Sequence, residues 1–241
     1  MNFSWPIAGI GKLPGIYISQ NFGNVWIADR DMFIAGISLK TGDNVYQKAF
    51  NMLGHNGLDI QAPLGTPVMA IADGFLVERL SKPANYGLRI TQEIDLSDNK
   101  LWATYGHFDR FAVDQEFSFY TKKVPISRGD IIGYVDSTGF STGDHLHLSI
   151  YELDKNLNKL FPNNGYSGAV DPLKYFKDEP NMIVYKKTGE ATLYFAVGNV
   201  LIPFATDYAS YLKEFGQAVV VELPVGEFIK FKVASELKVK K

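Results

Sequence analysis

The hydrophobic pattern between residues 60 and 150 predicts short strands separated by turns. Residues 88–96 show it most clearly, since apolar and polar residues alternate there with the period of two that indicates a half-buried strand. Only Gln92 interrupts the apolar face of that strand. Apolar runs bounded by turn residues predict further strands at 67–72, 74–80, 101–108, 129–135 and 145–151. No amphipathic helix is predicted in this span, so we expect a mostly β fold, an antiparallel sandwich or an open barrel-like sheet.

A second, smaller unit is predicted after the charged stretch at residues 177–180, which ends in proline. Beyond it, apolar runs predict a hairpin and two more strands, at 183–185, 192–197, 199–204 and 217–223. Between them the pattern predicts a helix that Thr206 can cap and Gly216 can end, with one apolar face made of Tyr208, Tyr211, Leu212 and Phe215. We therefore expect a main domain at residues 1–178 and a small α+β extension at 179–241, near the lower size limit for independent folding.

The composition narrows the classes of function. With 46% hydrophobic and 21% charged residues, the 241-residue chain can bury a substantial core. Its net charge of -2 and the lack of a strong basic stripe argue against nucleic acid as a main partner. Cysteine is absent, which excludes disulfides, thiolate metal ligands and a cysteine nucleophile. No run approaches the roughly 18 apolar residues of a membrane span.

All four histidines lie in settings that favour a functional site. His55 stands four residues before Asp59 in G-H-N-G-L-D, after an excursion at residues 30–54 that has no clear pattern. His107 ends T-Y-G-H, and it is predicted to share a strand face with Leu101, Ala103 and Tyr105. The remaining two form H-L-H in a run of period two, so that one strand face carries His145, His147 and Ser149.

These residue types favour a metal centre. Catalytic zinc usually takes three protein ligands, from imidazole nitrogens and carboxylate oxygens, and keeps a fourth position for water. His55 and Asp59 offer one ligand of each kind, and Gly54 and Gly57 are expected to give an irregular backbone that bends both towards one point. The two imidazoles of H-L-H lie about 7 Å apart on a strand, so one can ligate while the other stands beside the metal. A single histidine on a strand is more often structural, but four in such settings favour a site.

The motifs resemble those of the lysostaphin-type zinc metallopeptidases, peptidoglycan endopeptidases that cut peptide cross-bridges. The resemblance is carried in order by G-H-N-G-L-D-I-Q-A-P-L-G-T-P-V, by Y-G-H, and by G-D-I-I-G-Y-V-D-S-T-G-F-S-T-G-D-H-L-H-L-S-I-Y. It covers roughly residues 4–176, and the ordered combination is more specific than any one motif. The excursion before the first motif and the C-terminal extension lie outside the family pattern.

The resemblance implies a ligand set and a mechanism. His55, Asp59 and His147 would bind one zinc ion per chain, while His107 and His145 would be catalytic histidines that do not ligate it. Zinc would lower the pKa of its bound water and polarise the scissile carbonyl, and either catalytic histidine would accept the proton. The implied fold is a compact antiparallel β catalytic domain with a groove over the sheet.

We therefore expect a zinc-dependent endopeptidase that hydrolyses peptide cross-links of bacterial peptidoglycan. The alternative is a catalytically silent relative that binds cell wall or regulates another wall hydrolase, although such relatives usually lack the site histidines. The N-terminal sequence lacks the charged and apolar regions of a secretory signal, so we expect action at the cell wall by a mature bacterial chain or a phage-borne lysin. The sequence leaves open the cross-bridge that is cut and the oligomeric state.

Overall fold

A computed structural model describes residues 3–11, 13, 15–81, 85–114, 117–119, 122–176, 183–189, 192–197, 200–205, 219–223 and 232–233. The N-terminal part of the chain, up to and including the strand that carries Asp59, forms five elements: β1 (Tyr17–Gln20), β2 (Met32–Ile34), β3 (Ile37–Leu39), α1 (Val45–Phe50) and β4 (Leu58–Gln61). The rest of the main sheet follows: β5 (Pro67–Met69), β6 (Gly74–Leu80), β7 (Leu88–Asp95), β8 (Lys100–Phe111), β9 (Val124–Ile126), β10 (Ile131–Val135), β11 (His145–Leu153) and β12 (Ala169–Val170). A 3₁₀ turn at Pro172–Tyr175 ends this part of the chain.

One ten-stranded sheet organises these elements, and every strand pair in it is antiparallel. The main path runs β1-β4-β11-β8-β7-β6-β9, while β10 joins β5 to the far end of β8. The long strand β8 therefore pairs with β7, β11 and β10. The prediction of a mostly β, antiparallel fold is confirmed.

The core lies on one face of the central strands. Leu146, Leu148 and Ile150 of β11 are fully buried in it, which agrees with the period of two in the sequence. Gln92 enters the same core without an unpaired amide, because its Nε2 donates to the Ala72 carbonyl and its Oε1 accepts from the Tyr105 hydroxyl. The apolar face of β7 therefore tolerates this polar residue through hydrogen bonds.

The prediction that β7 is only half-buried is wrong at its centre. Thr91 and Glu93 lie on the face expected to be exposed, yet both are buried. Thr91 hydrogen-bonds Thr104 on β8, and the carboxylate of Glu93 accepts from the ammonium groups of Lys100 and Lys123. Long side chains from neighbouring segments thus cover polar residues that the alternation assigns to solvent.

The excursion at residues 30–54 is an ordered structure with its own small core. Strands β2 and β3 form a hairpin, and the short helix α1 follows it. The side chain of Asn44 caps α1 by accepting from the amides of Tyr46 and Gln47, and Asn51 ends it in the left-handed conformation. Six residues give too little periodicity to predict such a helix. Its apolar side packs into a cluster made of Ala28, Leu39 and Val45.

A second sheet occupies the C-terminal part. Its five strands are β13 (Ile183–Lys187), β14 (Leu193–Val197), β15 (Val200–Ala205), β16 (Val219–Leu223) and β17 (Lys232–Val233). The predicted hairpin is confirmed, and β13 also pairs in parallel with β16. The predicted helix at 206–216 and the predicted boundary at 177–180 lie outside the described residues. None of the helices in the described part has the length and apolarity that a membrane crossing needs.

Candidate metal centre

Three side chains converge on one point above the sheet. His147 on β11 lies directly opposite Asp59 on β4, so the pairing of these strands brings the two together. The Oδ1 atom of Asp59 is 2.9 Å from Nδ1 of His147 and 3.2 Å from Nε2 of His55. The two imidazole nitrogens are 3.0 Å apart. The main chain of His55 is fixed by hydrogen bonds to Gly23 and Asn24, which anchor the third member of the group.

The outer ring nitrogens of both histidines are occupied. Nδ1 of His55 lies 3.1 Å from the main-chain oxygen of Asn21, which can only accept. Nε2 of His147 lies 2.7 Å from the hydroxyl of Ser149. The inner nitrogens, Nε2 of His55 and Nδ1 of His147, are therefore left to offer their lone pairs to a metal ion.

The ionisation of the cluster also suits a metal ion. Burial disfavours the Asp59 carboxylate, but His55 and His147 outweigh it and hold the pKa of Asp59 well below its usual value. Burial lowers the pKa of His147 to about 4, against the opposing effect of Asp59. At neutral pH the site thus contains an ionised carboxylate and a neutral imidazole, the forms that bind metals.

The residues fit zinc. Two imidazoles and one carboxylate are a usual donor set for catalytic zinc. Ligand atoms 2.0–2.1 Å from a tetrahedral zinc lie about 3.3 Å from each other, close to the separations of 2.9, 3.0 and 3.2 Å among these atoms. His55, Asp59 and His147 could therefore hold one metal ion together.

The other two histidines stand beside this cluster. The ring of His145 lies 4.6 Å from that of His107, and its Nε2 is 3.7 Å from Oδ1 of Asp59. Each points its Nδ1 at a main-chain oxygen, that of Gly143 for His145 and that of Thr138 for His107. Burial, reinforced by His145, lowers the pKa of His107 to about 3. His107 is therefore neutral at pH 7, with an unprotonated Nε2.

The prediction that His107 shares a face with Leu101, Ala103 and Tyr105 is wrong. The register of β8 against β7 shifts between Ile90 and Leu88, and His107 has a φ of 64°, in the left-handed region. This bulge places Tyr105 and Phe108, three residues apart, in the same core. His107 is turned to the opposite face, where His145 and His147 lie.

The site lies in a part of the chain that matches a known protein family. The sequence model of Peptidase family M23 matches residues 53–159, a range that contains all four histidines and Asp59. Residues 53–159 are a peptidase family M23 domain. The resemblance on which the sequence interpretation depended is thus confirmed.

Curated relatives of this M23 domain are named as endopeptidases. The chain is 34% identical over 142 residues to the glycyl-glycine endopeptidase ALE-1 of Staphylococcus capitis, covering 56% of this chain and 33% of that protein. It is 36% identical over 93 residues to the DD-carboxypeptidase/endopeptidase Mpg of Neisseria meningitidis serogroup B, covering 39% of this chain and 19% of that protein. The chain therefore matches a third or less of the length of these two relatives.

Solved structures that are similar to this chain include the catalytic domain of lysostaphin from Staphylococcus simulans. It matches with 23% sequence identity and a TM-score of 0.44, covering 68% of this chain and 93% of that chain. The catalytic domain of the prophage-encoded M23 protein EnpA from Enterococcus faecalis matches with 25% identity and a TM-score of 0.43, covering 68% and 93%.

The glycines beside the ligands of the M23 domain act by close approach. Neither Gly54 nor Gly57 has a positive φ, so the expected irregular backbone is not the reason for them. A Cβ on Gly57 would lie 2.6 Å from Cε1 of His147, and one on Gly54 would lie 2.6 Å from the oxygen of Gly23. These positions must lack a side chain because the ring of His147 and the main chain of Gly23 occupy that space.

The group formed by His55, Asp59 and His147, called here the metal cluster, lies in a groove formed by two adjoining cavities. One, of about 480 Å³, contains all four histidines and extends towards the excursion. The other, of about 580 Å³, extends along β1 and shares five residues with the first: Gln20, Trp26, Asp59, Thr142 and His145. Neither strand periodicity nor the site motifs assigned a role to four aromatic side chains that line the first cavity: Trp26, Tyr46, Phe50 and Phe140.

Proposed function

We propose that this chain is a zinc-dependent endopeptidase that hydrolyses peptide cross-links of bacterial peptidoglycan. The observation that carries the proposal is the convergence of His55, Asp59 and His147 within an M23 domain. We assign these three as zinc ligands, one ion per chain, and His107 and His145 as the catalytic histidines. Peptidoglycan as the substrate is supported by relatives with the printed names glycyl-glycine endopeptidase and peptidoglycan DD-endopeptidase.

The zinc ion and the imidazoles of His107 and His145 would have different roles in the reaction. When bound, zinc supplies Lewis acidity that polarises the scissile carbonyl and makes water more acidic. His107 and His145 have their Nδ1 atoms occupied by main-chain oxygens, so their Nε2 atoms can accept a proton from the attacking water. Once protonated, the same nitrogens can hydrogen-bond the oxyanion and return the proton to the leaving amine.

The protein's own geometry supports this division of roles. The two catalytic imidazoles lie beside the ligand cluster, with Nε2 of His145 3.7 Å from the Asp59 carboxylate. Main-chain partners hold both rings, so they need not reorient during the reaction.

The test is hydrolysis of defined peptidoglycans by purified, zinc-loaded protein. Sacculi with glycine cross-bridges and sacculi with direct D-alanyl cross-links are digested separately, and the released fragments are identified by mass spectrometry. We expect new amino termini at one type of cross-link, and none with the His147→Ala variant. Intact cross-links in both substrates would contradict the proposal and favour a silent, wall-binding relative.

We further propose that the chain acts at the cell wall and that it divides into a catalytic domain at 1–178 and a separate C-terminal domain at 179–241. The support for the division is that the main sheet ends with β12 at Val170, while a distinct sheet starts with β13 at Ile183. Limited proteolysis should cut between these sheets first and leave a resistant fragment that contains the metal centre. Initial cleavage within the main sheet would contradict this division.

A further inference from the structure

One wall of the groove is aromatic. Phe50, at the end of α1, and Trp26, in the segment before β2, come from the N-terminal side, while Phe140 reaches them from the loop before β11. The ring centroid of Phe140 lies 5.0 Å from that of Phe50 and 6.4 Å from that of Trp26, in edge-on contacts. We call these three residues the aromatic wall.

Two residues of the aromatic wall pack on buried residues beneath it. Trp26 and Phe140 pack against the buried cluster of Ala28, Leu39 and Val45, so the excursion and the M23 domain share this contact. The amide of Phe140 also donates to the main-chain oxygen of Asn85, 2.6 Å away. The wall is thus a preformed surface facing the metal cluster.

The charge of the groove restricts what can bind there. Among the described residues that line its two cavities, no lysine or arginine occurs, and Asp59 is the one carboxylate. A carboxylate or ammonium group of a ligand that entered beside the aromatic wall would lose water without gaining a counter-ion. The free energy of binding therefore favours an uncharged group at this position.

The second cavity is richer in amide side chains. Beyond Asp59 and His145 its lining includes the side-chain amides of Gln20, Asn24 and Gln61, together with Val25, Ile27 and Trp26, which lines both cavities. Amides both donate and accept, which suits the N–H and C=O groups of an extended peptide. Since the two cavities meet at the metal cluster, one peptide can occupy both and present an internal bond there.

We propose that the aromatic wall of Trp26, Phe50 and Phe140 is a specificity subsite that binds an uncharged apolar side chain of the peptide, on one side of the scissile bond. The amide-lined cavity holds the main chain of the peptide on the other side. The proposal rests on the proposed function, because it names the kind of peptide that the M23 domain would cleave. It goes beyond the family motifs, since Trp26 and Phe50 lie outside the matched residues 53–159.

The first part of the test compares peptides that differ at one residue. The substrates are internally quenched peptides, blocked at both ends, that contain the type of cross-link found to be cleaved in peptidoglycan. In each peptide, one residue beside the scissile bond, on one side or the other, is alanine, leucine, glutamate or lysine. We expect kcat/KM for leucine or alanine to exceed that for glutamate and lysine by about tenfold or more at one of the positions. Equal rates for charged and apolar peptides at every position would overturn the proposal.

The second part uses variants of the wall. Phe140→Ala should raise KM for the preferred peptide by about tenfold with little change in kcat, since the lost contact serves binding in both ground and transition states. Phe140→Leu should retain most of the preference, because it keeps an apolar side chain. Phe33→Ala is the control: this aromatic residue belongs to the excursion that contains Phe50, but it is 73% exposed and is not among the residues that line the groove. Zinc content and thermal midpoint are measured for each variant to confirm an intact site.

Binding of uncleavable peptides separates this proposal from the proposed function. The same peptides with a ketomethylene group in place of the scissile amide are labelled, and their dissociation constants are measured by fluorescence polarisation. A preference for apolar peptides that disappears in Phe140→Ala would support the subsite even if no peptide were hydrolysed. Hydrolysis with no such preference, or with a loss of kcat alone in Phe140→Ala, would overturn the proposed subsite. The proposed endopeptidase activity would still stand.

Discussion

The hydroxyl oxygen of Ser149 lies 2.7 Å from Nε2 of His147, on the side of the ring that faces away from Asp59. The same hydroxyl donates its proton to the main-chain oxygen of Asn56, 3.0 Å away, and Ser149 is fully buried. Because that proton is committed, Ser149 accepts from His147. The imidazole is thereby held in the tautomer that leaves Nδ1 free for a metal ion.

Removal of this hydroxyl should weaken metal binding. We expect Ser149→Ala to lower the affinity for zinc by about 10–100-fold, as measured by competition with a chromogenic chelator. Thr104→Ala is the control, since Thr104 lies opposite Ser149 on β8 but hydrogen-bonds Thr91. An unchanged zinc affinity in Ser149→Ala would show that the tautomer is fixed by other contacts.

Gly57 is predicted to be intolerant of even one methyl group. The added Cβ of Gly57→Ala would lie 2.6 Å from the His147 ring and 2.7 Å from the oxygen of Leu148, so the ligand or its strand must move. We expect a loss of about 1–3 kcal/mol in the free energy of unfolding by urea, together with reduced zinc content. A Cβ at Gly143 would meet no atom within 4 Å, which makes Gly143→Ala the comparison. Equal stability of the two variants would contradict this explanation.

Part of the candidate site could be predicted from residue spacing because it depends on short-range geometry, while the assignment of the three ligands came from the family resemblance. The period of two in H-L-H placed His147 and Ser149 on one face, and the four-residue spacing joined His55 to Asp59. The burial of Leu146 and Leu148 on the other face confirms that alternation. Local patterns of this kind survive folding because each strand has one core face.

Other features of the site depend on contacts that no local pattern records. The left-handed backbone at His107 interrupts the alternation, so the histidine and Tyr105 face opposite ways. Three histidines, His55, His107 and His145, direct their Nδ1 atoms at main-chain oxygens, which every residue type carries. The aromatic wall brings Phe50 to Phe140 across a long sequence separation, and its helix is too short to show periodicity.

Acid is expected to weaken the fold in part through Glu93. Burial disfavours its carboxylate, but hydrogen bonds and charge from Lys123 and Lys100 outweigh that effect and lower the pKa of Glu93 below its ordinary value of 4.5. A carboxylate with a lowered folded-state pKa stabilises the fold fully above the unfolded pKa, and that stabilisation is lost as the pH falls through the folded value. The unfolding free energy should therefore decline below about pH 4.5.

The Glu93→Gln variant isolates this contribution. In urea unfolding with excess chelator, which removes any effect of zinc, the variant should be less stable than the wild type at pH 7. The difference should shrink as the pH falls below 4.5. A difference that stayed constant from pH 7 into this acid range would exclude Glu93 as a source of the pH dependence.

Substitution of His107 or His145 should impair catalysis without impairing metal binding. His107→Ala and His145→Ala are expected to retain zinc, since neither belongs to the converging group of ligand atoms. Their kcat should fall by about 10²–10⁴-fold, the range for loss of a general acid or base. Steady-state kinetics on a cross-linked peptide, with zinc measured in the same samples, checks both statements. Loss of zinc in either variant would mean that the ligand set has been assigned incorrectly.

The central claim is that His55, Asp59 and His147 bind the zinc ion on which hydrolysis depends. The most direct measurement is the zinc content of the purified chain by mass spectrometry, taken together with hydrolysis of cross-linked peptidoglycan, for the wild type and for His55→Ala, Asp59→Ala and His147→Ala. We predict one zinc per wild-type chain, and loss of both zinc and hydrolysis in each variant. Hydrolysis that persists in a variant without zinc, or one tightly bound zinc in all three variants, would contradict the account.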